Sequence, residues 1–375
     1  MKKILFITGT RADYGKIKPV MKMIEADNQL ELAVFVTGMH MLSAYGSTYK
    51  EVLKDNFANT YLFINQGHEL SMDLTLGNTI NGLSNYIKEV PPDLIVIHGD
   101  RLEALAGVIV GAMNNIFVAH IEGGELSGTI DESIRHAITK MSHIHLVANE
   151  DAKARVMQMG EDNNRVFVVG SPDIDIMLHA NLPDIKEIKK RYEIPFSKYA
   201  IAMFHPVTTD YHNMRQHAKN FVEALVKSGD SFVLILPNND SGKDFIIEEY
   251  EKLKENPNFC IYPSLRFEYF LELLKNAQYI IGNSSAGVRE AGVYAVPAID
   301  IGDRQKNRYA TENIGIISTN YSVNHIVDAI ERAKQMDLTP TFEFGDGNSS
   351  ELITKILKTD AIWNMSIQKV FVDID

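Results

Sequence analysis

The chain has almost no cysteine, no apolar run of membrane-spanning length and no excess of positive charge, and each shortage removes a class of function. Cys260 stands alone. Neither an intramolecular disulfide nor a cysteine-ligated zinc cluster is therefore open to it, and a reducing compartment, the cytoplasm, is expected. No apolar stretch approaches the roughly 20 residues that cross a bilayer. A formal charge of −12 offers no general basic face to displace counterions, so neither nucleic acid nor an anionic membrane is expected as a partner. What is present is 375 residues, 45% of them apolar and 23% charged, enough for two domains of ordinary size. Met1-Lys2-Lys3 before the apolar run 4–7 has the look of a signal peptide, but the run stops at Thr8-Gly9-Thr10-Arg11. A first β-strand and its loop are expected there instead.

Short apolar runs alternate with helical patterns from the first residues. The runs 4–7, 32–36, 94–97, 116–121, 145–148 and 166–169 are mostly bounded by Gly, Asp or Asn. Between them apolar residues recur at helical spacing, as in Ile17, Val20, Met21, Ile24 and in Leu102, Leu105, Ala106, Ile109, Val110, Met113. This predicts an α/β fold, a parallel sheet covered by helices on both faces. A polar, Lys-rich stretch over 181–198 follows, and the alternation restarts at 199–204, 232–236, 259–262, 279–281, 298–301 and 315–318. Two doubly wound domains, over 1–175 and 176–355, are expected, with a substrate cleft between the carboxyl ends of both sheets. The periodic segment 352–363 leads into a C-terminal segment, 356–375, expected to pack back on the first domain.

Gly9-Thr10-Arg11-Ala12-Asp13-Tyr14-Gly15 follows the first strand, yet it has neither the Gly-x-Gly-x-x-Gly spacing of a dinucleotide fingerprint nor the Gly-Lys-Ser/Thr of a P-loop. A tight turn remains, with Arg11 at a helix N-terminus, suited either to phosphate or to an ion pair with Asp13. Asn283-Ser284-Ser285-Ala286-Gly287 occupies the corresponding turn of the second domain, before the helical pattern of Val288-Arg289-Glu290-Ala291. It suits a pyrophosphate, or Ser284 is an ordinary helix cap; Glu290 is placed to pair with Arg289 or to accept from ribose hydroxyls.

Three carboxylates follow strand ends or open a helix. Asp100 lies in His98-Gly99-Asp100-Arg101, Glu122 in His120-Ile121-Glu122-Gly123-Gly124-Glu125, and Asp131 precedes Arg135 and His136 by about one turn. Taken singly, Asp100 has Arg101 as a salt-bridge partner, Glu122 has Arg135, and Asp131 is a helix cap. Taken together, with a histidine beside each, they form the kind of carboxylate cluster that raises one pKa for acid/base work. Phe204-His205-Pro206 brings a histidine to the cleft from the other domain. With 12 histidines a metal site is conceivable, yet no pair has a recognised ligand spacing beside a carboxylate. His40, His68, His143, His145 and His217 read as structural or surface residues.

These motifs, in this order from Lys3 to about Leu357, resemble the UDP-N-acetylglucosamine 2-epimerase family, which has two facing Rossmann-like domains of glycosyltransferase-B architecture. The stretch from Ile130 to Lys140 resembles the hydrolysing branch, which forms N-acetylmannosamine for sialic acid synthesis. The resemblance implies that Arg11, Asn283, Ser284, Ser285 and Gly287 surround the diphosphate, that Glu290 holds the ribose, that Arg304 contributes to nucleotide binding and that Arg266 lies near the uridine. It implies Asp100, Glu122, Asp131 and His205 as catalytic residues with Arg101 and Arg135 beside the sugar, no cofactor and no metal. A homo-oligomer, dimer or tetramer, is expected.

In α-linked UDP-GlcNAc the diphosphate leaves axially from one face and the C2 hydrogen is axial on the other, so anti elimination is open. It needs a base on the hydrogen's face and cationic or amide support for the leaving diphosphate. Reaching N-acetylmannosamine from 2-acetamidoglucal then needs a proton at C2 from the opposite face and water at C1, and several carboxylates in different environments meet that demand. Which carboxylate is base and which acid stays open. Rival readings are a non-hydrolysing epimerase releasing UDP-ManNAc, a hydrolysing epimerase of a UDP-2,4-diacetamido-trideoxyhexose, a glycosyltransferase of the same architecture and a nucleotide-sugar sensor.

Overall fold

The computed structural model describes residues 1–67, 71–127, 130–179, 181–238, 240–306, 308 and 315–373. His68 and the tail's final residue Asp375, both considered above, lie outside them. The chain divides into two compact units, one of Met1–Glu125, Asp131–Ala180 and Glu343–Asp375, the other of Leu126–Ile130 and Asn181–Phe342. Composition puts the breaks at 175 and 355. The structure moves them because the helix Pro172–His179 buries Pro172 to Met177 and the helix Ser349–Leu357 sends Ile353 and Leu357 into the first unit's core.

In the first unit, strands β1 (Lys2–Thr8), β2 (Leu30–Val36), β3 (Thr60–Leu62), β4 (Leu94–His98), β5 (Phe117–Ile121), β6 (Ile144–Val147) and β7 (Val166–Val168) form one parallel sheet in the order β3-β2-β1-β4-β5-β6-β7. Its strands are apolar runs because both faces are covered. Alternate residues go to opposite faces, as a strand's period of two requires. Ile4 and Phe6 join Ile17, Val20, Met21 and Ile24 of the helix Arg11–Glu25, together with Ile353 and Leu357. Leu5 and Ile7 join Leu83 and Ile87 of the helix Met72–Glu89 and Ala104 and Val108 of the helix Leu102–Met113. β3 escapes the sequence pattern: it is a three-residue edge strand with no fully buried residue.

In the second unit, β8 (Ala200–Met203), β9 (Phe232–Ile235), β10 (Phe259–Tyr262), β11 (Ile280–Gly282), β12 (Ala298–Ile301) and β13 (Ile316–Thr319) form a parallel sheet in the order β10-β9-β8-β11-β12-β13. Ala200, Ala202, Phe204, Leu234, Ile281 and Ile299 share its core with Phe221, Ala224 and Leu225 of the helix Met214–Ser228. Both units are thus Rossmann-like, the pair of folds that makes up the glycosyltransferase-B class. No helix among the described residues is long and apolar enough to cross a membrane.

Candidate active site

Each sheet reverses its strand order once, and open α/β sheets bind ligands beyond the carboxyl ends of the strands at such a switch point. In the first unit the switch separates β1 from β4; in the second it separates β8 from β11. The loops leaving these four strands carry Arg11, Asp100, His205 and Asn283-Ser284-Ser285.

The loop after β1 is a reciprocal cap. Thr10 Oγ1 accepts from the Asp13 amide at 3.1 Å, and the Asp13 carboxylate accepts from the amides of Gly9 (2.9 Å) and Thr10 (3.2 Å). Arg11, offered Asp13 as partner by the sequence, reaches Glu51 at 2.9 Å. Asp13 shapes the turn and Arg11 opens the helix.

The chemistry-bearing cluster of the first unit is organised by Arg135, which is 3% exposed. Its guanidinium donates to Asp100 Oδ2, to the backbone carbonyl of Glu122 at 2.8 Å and to Glu125 at 3.3 Å. Arg101, offered by the sequence as a partner for Asp100, lies 3.6 Å from the buried Glu103 as well. Glu122 takes a side-chain hydrogen bond from Ser171 Oγ, and its other oxygen stands 3.1 Å from His98 Nε2. It adopts φ +65, a strained backbone for a residue with a side chain. Asp131 is not a cap but the second residue of the helix Ile130–Met141, one turn before Arg135.

The four neighbouring histidines do different things, and His98 is the one just placed beside Glu122. His120 is fully buried; its Nε2 bonds the Gly99 carbonyl at 2.7 Å and its Nδ1 bonds Thr139 at 3.1 Å, bracing the loop that carries Asp100. Burial pushes its pKa down to about 3, so it stays neutral. His136 lies 3.9 Å from Glu132 on the same helix. His145 is buried against Glu161 at 2.9 Å.

In the second unit Asn283 clamps the segment after β8. Its side chain accepts from the His205 amide at 2.7 Å and donates to the His205 carbonyl at 2.9 Å. His205 Nδ1 accepts from the Asn238 amide at 3.1 Å, which leaves the proton of the neutral ring on Nε2. Close approach of β11 to β8 requires glycine at 282, where φ is +140 and any Cβ would run into the Met203 carbonyl. Ser284 does cap, accepting from the Ala286 amide at 3.3 Å, and the turn it opens is 3₁₀ over Ser285–Gly287. The α-helix starts only at Glu290, over Glu290–Val293, and Glu290 is 3% exposed. Arg304 and Gln305 both donate to the Asn283 carbonyl, at 3.2 and 2.9 Å. Arg266 precedes the helix Phe267–Lys275 and lies over the Tyr269 ring. No group of three or more His, Cys, Asp or Glu among the described residues is placed to hold a metal ion.

The model of the UDP-N-acetylglucosamine 2-epimerase family matches residues 22–358. The chain belongs to that family. It is 50% identical to the UDP-N-acetylglucosamine 2-epimerase of Neisseria meningitidis serogroup B, with 100% of each chain covered. It is 30% identical to the hydrolysing UDP-N,N'-diacetylbacillosamine 2-epimerase of Legionella pneumophila over 98% of this chain and 99% of that one. Its fold matches the Methanocaldococcus jannaschii UDP-GlcNAc 2-epimerase, solved with UDP-GlcNAc and UDP, with TM-score 0.83 at 24% identity, over 95% and 99% of the two chains.

Within this epimerase scaffold, sequence reasoning missed four buried polar residues that hold the candidate site. Glu125 ends the stretch Glu122-Gly123-Gly124-Glu125, and its spacing from Arg135 carried a usable signal. Glu103, the second residue of the helix Leu102–Met113, was legible as the i+2 acid beside Arg101. Gln305, fully buried, and Ser171 left no local signal, because their partners lie 22 and 49 residues away.

Proposed function

We propose that the protein is a hydrolysing UDP-N-acetylglucosamine 2-epimerase that turns UDP-GlcNAc and water into UDP and N-acetylmannosamine. The observation that carries this reading is the Arg135 cluster, which gathers Asp100 and Glu122 at the carboxyl ends of β4 and β5, with Asp131 on Arg135's own helix. In this reading Asp100, Glu122, Asp131 and His205 move the protons, and Arg101 and Arg135 contact the sugar. Arg11 and the turn Asn283-Ser284-Ser285 with Gly287 take the diphosphate, Glu290 the ribose, Arg304 the nucleotide and Arg266 the uracil side. With His205 Nδ1 accepting from the Asn238 amide, Nε2 is the ring nitrogen this reading assigns to the substrate. Elimination of UDP across C1 and C2 gives 2-acetamidoglucal, and hydration from the other face gives the product; no electron leaves the sugar, so no redox cofactor is required. Two supports favour hydrolysis: the Ile130–Met141 helix with its Asp131 and Arg135, and the Legionella relative, whose name couples water to epimerisation of an N-acetylated amino sugar. The reading includes a cytoplasmic setting, consistent with the lone, half-buried Cys260, and a homo-oligomer.

The test is incubation with UDP-GlcNAc in deuterated water followed by NMR. Free UDP and N-acetylmannosamine deuterated at C2 are expected. Persistent UDP-ManNAc as the sole product would assign the protein to the non-hydrolysing branch, and turnover confined to a UDP-2,4-diacetamido sugar would reassign the substrate.

A separate expectation concerns the nucleotide. Arg11→Ala should weaken UDP about 10- to 100-fold, the range for a lost hydrogen bond between charged groups, and Ser285→Ala by a smaller factor. Calorimetric titration with UDP measures both. Unchanged affinity in the two variants would remove the diphosphate assignment.

A further inference from the structure

Glu122 is held at every polar atom. Its amide donates to the Leu146 carbonyl at 3.0 Å, its carbonyl accepts from Arg135 at 2.8 Å, one carboxylate oxygen faces His98 and the other accepts from Ser171. A strained backbone persists only where its surroundings over-determine it, and φ +65 at this residue fits that rule. Ser171 differs from the other partners. It is fully buried, so its hydroxyl has no route to a substrate, and its place is fixed from a distant part of the chain. The Ser171 amide donates to the Phe344 carbonyl at 2.7 Å. Gly170 before it has φ +76, and a Cβ there would stand 2.7 Å from Ser349 Oγ. Asp173 pairs with Lys16 at 2.8 Å, and Asp175 accepts from the amides of Ser349 and Ser350 at 2.9 and 2.6 Å.

We propose that Ser171 is a positioning residue for Glu122, and that the segment 344–350 sets its placement through the clamped residues 170–175. The proposal rests on the reading of Glu122 as a proton-transfer group. A charge-assisted hydrogen bond to one oxygen both orients a carboxylate and favours its ionised form, so removing the donor disturbs the proton transfer while leaving the nucleotide contacts alone.

The experiment compares wild type, Ser171→Ala, Ser171→Cys, Glu122→Gln and the Ser171→Ala/Glu122→Gln double variant, with UDP-GlcNAc as substrate. The cysteine variant keeps the shape of serine with only a weak donor. Turnover should fall about 10- to 100-fold in both single Ser171 variants, with UDP affinity unchanged. The double variant should be no slower than Glu122→Gln alone, because the hydroxyl acts through that carboxylate. Ser171→Cys at wild-type turnover, multiplying losses in the double variant, or a loss confined to KM would each overturn the proposal. If Glu122→Gln itself turns over normally, the reading of Glu122 fails and takes the proposal with it. If Glu122→Gln is impaired and both Ser171 variants are not, only the proposal fails.

Discussion

Asp100→Asn, Glu122→Gln and Asp131→Asn should each lower turnover of UDP-GlcNAc by about 10²- to 10⁴-fold, the usual cost of losing a positioned proton-transfer group. Each substitution keeps the shape of the side chain. Asn at position 100 still presents an oxygen to Arg135, and that guanidinium keeps Glu125 and the Glu122 carbonyl, so UDP affinity and folding should survive. One variant at least should release 2-acetamidoglucal, because a group needed for hydration but dispensable for elimination leaves the intermediate stranded. Product analysis by NMR separates the two half-reactions and assigns the carboxylates between them. Wild-type rates in all three variants would require a different mechanism.

The second large effect is expected at mildly acid pH. His120 is fully buried, and burial holds its pKa at about 3 against an ordinary 6.5. The unfolded chain takes up a proton near pH 6.5 that the folded chain refuses, so stability falls as the pH drops from about 6.5 toward 3. A depression of that size corresponds to about 5 kcal/mol when fully developed. His40, buried and held at about 4 chiefly by the same desolvation, adds a loss of the same sign. His120→Gln removes the first of these titrations while keeping a donor for the Gly99 carbonyl. Urea midpoints measured from pH 7.5 to 5 should therefore fall more steeply for wild type than for the variant. Parallel curves would mean that His120 does not titrate as its burial dictates.

The sequence carried most of the fold because parallel strands buried on both faces are apolar runs, and runs of that kind are visible without knowing their neighbours. β4 and β5 are examples, with all ten of their residues apolar or histidine. β3 was invisible because Thr60, Tyr61 and Leu62 form an edge that is never fully buried. The candidate site divides the same way. Asp100, Glu122 and His205 were legible as polar residues just past strand ends, a position that depends on local order alone. Ser171 left no signal, because its role arises from a contact spanning 49 residues. The helical pattern was read from Val288, yet the turn before it is 3₁₀ and the α-helix starts only at Glu290; the small residues fit either geometry and only the packing chooses.

The return of Glu343–Asp375 to the first unit also bears on the order in which a growing polypeptide can mature. Residues 181–342 leave the ribosome as one stretch and can close their sheet while the first unit still lacks Ile353 and Leu357. The remaining segment takes on the order of seconds to synthesise at 5–20 residues per second. During that interval Ile17, Val20, Met21 and Ile24 have no cover from the Ser349–Leu357 helix, and Asp175 has no Ser349 or Ser350 amide to accept from. The first unit's core can therefore close on this helix face only once the chain's last segment has been made.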